Sequence, residues 1–256
     1  MIRVRFQPTN PGQFFACCGL LELADRLWDG AEGWFEERTF RLRLAAQPRT
    51  SLPDLLTAIA AAPLRQSDAD DETSSPIEIP APFGLRLDWW QESAAGCKDL
   101  KTWAGRMSGA RIARAMQAEL GKAEYHHDGL LDHGAVVYDP AEPAKKVEPF
   151  YFDARRGACG HPLDIGFAPD PLQMTSAAYA AVEFLCLVGL QRFRPKPGGK
   201  PRVFEYCLWR LPLAPAVAAA AVCGFLAPDS SPAFRFENAF RTDQRKHKGF
   251  ASATPV

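Results

Sequence analysis

Asn10-Pro11-Gly12-Gln13-Phe14-Phe15-Ala16-Cys17-Cys18-Gly19-Leu20-Leu21-Glu22-Leu23-Ala24-Asp25-Arg26-Leu27-Trp28 is the stretch around which the chain organises itself. Asn10 suits a helix N-cap, Pro11 the first helical position, and Gln13 the place of a capping-box partner. The spacing predicts a helix to about Trp28, with Phe14, Cys18, Leu21 and Trp28 near one face. Glu22, Asp25, Arg26 and Asp29 fall on the other, as in a half-buried helix. Gly30 stands where such a helix stops. Before it, Arg3-Val4-Arg5-Phe6 alternates as a strand; after it, Phe40-Arg41-Leu42-Arg43-Leu44 does the same.

Further out, Ser51-Leu52-Pro53 opens a second helix ending near Pro63. Helical patterns over about 102–122, 175–190 and 214–223 bring the expected number to about five. Short strand-like runs stand near 77–79, 85–89, 135–138, 149–152, 203–211 and 233–240. Residues 65–76 are polar and acidic, and read as a mobile surface loop. The expectation is an α+β fold of short mixed or antiparallel strands with about five helices, one domain over 1–256, ending in a basic tail near 241–256.

The 256 residues, 47% hydrophobic and 11% aromatic, suffice for a full core. Thirty basic residues balance thirty acidic ones, which argues against histone-like coating of nucleic acid but leaves local patches open. The signs separate along the chain: Glu22 to Glu37 carries six carboxylates and one arginine. The seven cysteines (Cys17, Cys18, Cys97, Cys159, Cys186, Cys207 and Cys223) form no C-x-x-C pair and read as reduced thiols. The first residues follow a strand pattern instead of a signal peptide, and no apolar run reaches the roughly 18 residues of a membrane span. A cytoplasmic, membrane-free location is expected.

Three basic segments stand out. The first runs from Lys98 to Lys122: Lys98 and Lys101 precede the expected 102–122 helix, which carries Arg106, Arg111, Arg114 and Lys122, and residues 101–117 hold no carboxylate. Ile112, Met116 and Leu120 form its burying stripe, and Gly105 and Gly109 would let a phosphate approach the backbone. The second packs Arg192, Arg194, Lys196, Lys200 and Arg202 into an acid-free, Pro- and Gly-rich loop. The third is the tail, with Arg241, Arg245, Lys246, His247 and Lys248 against Asp243. Each has a plainer reading as a solvated face, a hairpin tip or a solubilising end. Trp89-Trp90 and Trp103 beside the first segment fit base stacking, although adjacent tryptophans usually send at least one into the core.

Other chemistry is less well served. His126, His127, Asp128 and His133 lie close together, and His-His-Asp occurs in metal-dependent phosphohydrolases. A binuclear site needs further ligands, and only His161 and His247 remain. There is no G-x-S-x-G and no G-x-x-x-x-G-K-[ST], and the Cys159/His161 pair is a weak nucleophile signal. No catalytic centre, metal or cofactor is expected.

Pro8-Thr9-Asn10-Pro11-Gly12-Gln13-Phe14-Phe15-Ala16-Cys17-Cys18-Gly19-Leu20-Leu21-Glu22-Leu23-Ala24-Asp25 resembles the N-terminus of subunits from type I-G (formerly I-U) CRISPR systems. Pro149-Phe150-Tyr151-Phe152-Asp153, Asp164-Ile165-Gly166-Phe167 and Gly189-Leu190-Gln191-Arg192-Phe193-Arg194-Pro195 extend the likeness, as does the tail from Phe240-Arg241-Thr242-Asp243 to Thr254-Pro255. The resemblance implies a non-catalytic subunit of a crRNA-guided Cascade effector, similar in role to a reduced large subunit. Its implied partners are crRNA, target DNA, the other effector subunits and the helicase–nuclease. In such recognition base pairing reads sequence and the protein supplies phosphate contacts. Two other readings stand beside it: a protein-only adaptor using the acidic first helix and the apolar face around Phe14 and Trp28, and a nuclease centred on His126, His127 and Asp128.

Overall fold

The computed structural model of the chain describes residues 1–44, 51–68, 74–93, 96–104, 107–156, 177–226, 231–241 and 245–256. Strand β1 (Ile2–Arg5) leads into helix α1 (Pro11–Trp28), which Asn10 caps by accepting from the Gln13 N–H. The Gln13 side chain takes the Gln7 N–H at 2.7 Å, so the reciprocal half of a capping box is made one turn earlier than expected. Asp29 closes the helix in the left-handed region and Gly30 follows at positive φ.

The largest departure from the sequence reading is α1 itself. Every residue from Pro11 to Ala24 is buried, Glu22 included, so the helix has no solvent face over most of its length. On one side lies a three-stranded antiparallel sheet of β1, β2 (Ala31–Glu36) and β3 (Thr39–Leu44), ordered β1-β3-β2. On the other lies α5 (Ala180–Arg192), buried from Ala180 to Leu190. A helix apolar all round belongs at the centre of a core, and α1 and α5 make that centre together. β2 had no counterpart in the sequence reading; its residues form a hairpin with β3 through register pairs from Ala31–Leu44 to Glu36–Thr39.

Helix α2 (Leu52–Ala61) starts as expected, with a capping box between Ser51 and Asp54. The stretch read as a mobile loop contains strand β4 (Arg65–Gln66), which pairs with β5 (Ile77–Ile79) and through it with β6 (Leu85–Leu87). Residues 69–73 of that stretch lie outside the described residues. The expected 102–122 helix is shortened to α4 (Gly109–Glu119), which begins where Ser108 accepts from the Arg111 N–H, and a separate short α3 (Cys97–Leu100) stands before residue 102. Strands β7 (Tyr138–Asp139) and β8 (Glu142–Lys146) form a hairpin in which β8 is exposed and Asp139 is buried.

After α5 come β9 (Lys196–Pro197), β10 (Val203–Cys207), α6 (Pro215–Val222), β11 (Ala233–Phe240), β12 (Lys248–Phe250) and β13 (Thr254–Pro255). The last sheet runs β12-β11-β10-β9, with β13 also on β11. All strand pairs are antiparallel and one hydrophobic cluster links all these layers, so the α+β expectation holds. Among the described residues, no helix is long and apolar enough to cross a membrane.

Candidate nucleic-acid interface

Carboxylates absent from the neighbouring sequence arrive from elsewhere in the fold. Arg111 Nε sits 2.5 Å from Asp139 Oδ2, whose side chain is 6% exposed, and Arg111 also reaches Glu142 at 3.3 Å. The Ala141 N–H and the Arg111 guanidinium hold the Asp139 carboxyl below its ordinary range against the opposing pull of burial. Arg192 Nε lies 2.5 Å from Glu22 Oε2, and Arg26 holds the same carboxylate at 2.6 Å; Glu22 is 2% exposed. Lys122 differs in finding its partner locally: it meets the buried Glu119, three residues earlier, at 2.6 Å.

These arginines are committed. Removing one partner of a buried pair strands an uncompensated charge and costs about 3–5 kcal/mol, whereas an exposed pair is worth about 0–1 kcal/mol and yields easily to a phosphate. By that criterion Arg111 and Arg192, chosen from sequence as phosphate contacts, are structural. Arg194 pairs with the exposed Glu92, Lys196 lies 4.0 Å from Glu205, and Arg202 lies 3.5 Å from Glu237 (47% exposed). Arg114 is exposed on α4. Arg106 lies outside the described residues.

Part of the acidic run 22–37 is paired: Glu32 with Arg43 and Glu36 with Arg41, while Asp25 accepts the Ala31 N–H. Of the acids on the first helix, Glu22 is buried against Arg26 and Arg192, and Asp25 and the C-cap Asp29 remain at its solvent-reached end. Trp89, Trp90 and Trp103 are at most 3% exposed and pack edge to face with centroids 5.0–5.9 Å apart. Trp89 donates to the Leu187 carbonyl and Trp90 to that of Ser74. They are core residues, with no face open to a base. His126 bonds the Leu120 carbonyl, His127 accepts the Gly129 N–H, Asp128 faces Arg5, and His133 packs on Tyr125. Among the described residues no three His, Cys, Asp or Glu side chains are grouped to hold a metal; His161 and Cys159 lie outside them.

What remains converges on one place. A cavity of about 440 Å³ is lined by Lys98, Asp99, Lys200, Arg202, Val203 and Phe204, among others, and so joins the first basic segment to the second. The third arrives through β12: the Lys248 N–H donates to the Thr102 carbonyl at 3.1 Å, and its ammonium bonds the Lys98 carbonyl. Asn238, fully buried on β11, fastens the three together. Its side-chain amide donates to the carbonyls of Asp99 (2.7 Å), Leu100 (2.9 Å) and Lys101 (3.2 Å), which end α3, and its N–H donates to the Arg202 carbonyl at 2.8 Å.

Arg202 stands at positive φ after the Gly198-Gly199 turn, its guanidinium 4.6 Å from the Phe240 ring centroid. Arg241 stacks on Tyr151 at 3.3 Å, and Arg245 and Lys246 are exposed beside it. Between them, burial first, then Arg241 and Lys246, push the His247 pKa down. Lys101 points elsewhere, over Trp103 at 4.9 Å and to Ser74.

No family model, curated protein or solved structure matches this chain.

The site therefore keeps Lys98, Lys200, Arg202 and Lys248 together, while Arg111, Lys122 and Arg192 are paired with carboxylates elsewhere and Arg241 stacks on Tyr151. Asn238, the residue that assembles it, escaped the sequence reading. The signal was there: Phe234, Phe236 and Asn238 alternate on the buried face of β11, and a polar residue at an inward position needs partners.

Proposed function

We propose that the chain is a non-catalytic subunit that holds nucleic acid, and that it works within a crRNA-guided type I-G CRISPR effector, touching crRNA or target DNA through phosphates. One observation carries the binding half of this reading: Lys98, Lys200 and Arg202, from distant segments, line a single cavity with Lys248 tied to its rim. Asp99 and the exposed Glu237 offset these cations only in part, and a polyanion lying across the surface would stabilise the rest. The effector assignment rests on the sequence patches quoted above, several of which sit at structural joints: the N-cap of α1, the Phe152-Asp153 segment and the Arg192 pair.

The test is fluorescence anisotropy with labelled crRNA and duplex DNA. The Lys98→Glu/Lys200→Glu double variant is expected to lose at least about tenfold in affinity and to show a flatter salt dependence, since log affinity scales with the number of phosphates neutralised. Affinity that does not change between about 50 and 200 mM salt, or equals that of the native chain in the double variant, overturns the reading.

A protein-facing role gains its own support from α6. Leu211, Val217, Phe225 and Leu226 are 44–81% exposed, on a stretch from Leu211 to Leu226 without a charge. Exposed apolar clusters mark protein contacts, and an effector subunit needs such a face for its neighbours. Phe225→Asp is expected to prevent co-purification with co-expressed effector subunits while leaving crRNA binding by the isolated chain unchanged; unimpaired co-purification excludes this face.

A further inference from the structure

The outer face of the N-terminal sheet carries a second cationic surface, built from residues outside the three basic segments. Alternation sends Ile2, Val4, Phe35, Phe40 and Leu42 inward, and Arg3, Arg5, Arg41 and Arg43, with Trp34, Glu32 and Glu36 among them, to the other side. The register sets Arg3 opposite Arg41, and Arg41 opposite Trp34, so one row across three strands reads Arg3, Arg41, Trp34. Arg43 lies over the Trp34 ring at 5.8 Å. Directly opposed like charges destabilise a sheet; on this face Arg41, 24% exposed, is answered by Glu36, and an anion over the row would take that place for both arginines.

The carboxylates that partner this face are half-buried or exposed: Glu32 34%, Glu36 55% and Asp128 58%. Such pairs are weak and exchange for phosphate, unlike those made to Glu22 or Asp139. Trp34 also differs from Trp89, Trp90, Trp103 and Trp209, all at most 3% exposed; it is only half buried, on the polar side of its strand. Both sheet edges have backbone partners, at Trp209 and Leu213 for β2 and at Asp128 for β1, which leaves the face as the surface for a ligand.

We infer that this face binds single-stranded nucleic acid, one base stacking on Trp34 in place of the Arg43 guanidinium, with Arg3, Arg41 and the displaced Arg43 on the flanking phosphates. Adjacent strands lie about 4.8 Å apart, so the row spans about 10 Å, enough for a base with its neighbouring phosphates. A single strand is specified because a base inside a duplex is covered on both faces and has none to give an indole. The inference extends the nucleic-acid reading but uses none of the cavity residues.

The test titrates the full chain with labelled oligo-uridine and oligo-thymidine of about ten nucleotides and with a blunt duplex. Trp34→Ala is expected to weaken single-strand binding about tenfold with duplex binding unchanged, and Trp34→Phe to retain most of it. Arg3→Ala/Arg41→Ala is expected to weaken it and flatten its salt dependence; circular dichroism checks that each variant is folded. Comparison of the two oligomers tells RNA from DNA. Native single-strand affinity in both the Trp34→Ala and Arg3→Ala/Arg41→Ala variants, equal losses in Trp34→Ala and Trp34→Phe, or a parallel loss of duplex binding, overturns the inference. Loss confined to the Trp34 and Arg3/Arg41 variants, with Lys98→Glu/Lys200→Glu silent, supports this face and removes the cavity instead.

Discussion

Gly189→Ala is expected to destabilise the protein by about 3 kcal/mol, a fall of roughly 6–12 °C in melting temperature at this chain length. The sign is the informative part, because glycine to alanine in a helix interior ordinarily adds about 1 kcal/mol of stability. Here α1 and α5 cross with their backbones touching. A methyl on Gly189 would overlap the Phe15 carbonyl oxygen, and one on Gly19 would overlap that of Leu185. Neither obstacle is a side chain that can turn away, so the helices must separate. Both are buried along the crossing, and separation opens voids through the middle of the core. Gly19→Ala should behave likewise. Urea unfolding reads the change; a gain in stability in either variant would show that the helices do not meet there.

Asp153→Ala should cost about as much or more, roughly 3–5 kcal/mol out of a total near 5–15 kcal/mol. The Asp153 carboxylate is fully buried and accepts from Asn10 Nδ2 (3.1 Å), the Arg155 N–H (2.9 Å) and two guanidinium nitrogens of Arg155 (2.9 and 2.7 Å). Asn10 caps α1, and Arg155 spans to Asp132 and stacks on Tyr179 at 3.4 Å. Beside it the buried Glu183 accepts the N–H groups of Phe152 and Asp153, both at 3.2 Å. Truncation takes the buried anion from the Asn10 cap residue and leaves Arg155 only the half-exposed Asp132. Asp153→Asn keeps the shape and is expected to fall between. Thermal melting ranks the three proteins, and equal midpoints would contradict the network. The same segment positions Tyr151 under Arg241 and gives its carbonyl to the Phe250 N–H, so its loosening should also weaken the cationic cavity.

Much of the local structure was legible in advance. The Asn10-Pro11 start and Gly30 stop of α1, the Ser51 cap of α2, and the alternation of β1 and β3 each report a backbone preference that a few neighbouring residues satisfy among themselves. The helix expected over 102–122 failed at its start, because Trp103 goes into the core and Ser108 caps a later first turn. The two-faced character expected of α1 failed because α5, far along the chain, covers the side that carries Glu22.

Charge was the least readable property. Arg111 and Arg192 are acid-free in their own segments, yet their carboxylates stand 28 and 170 residues away. Coulomb attraction and desolvation depend on distance and burial in space, and a one-dimensional count of nearby acids records neither. Capping, alternation and composition thus set the elements and the α+β class from within short windows of chain. Which cations are spent inside the protein, and which are gathered by Asn238 around one cavity or spread over the first sheet, was decided only when the packed helices and strands brought distant residues together.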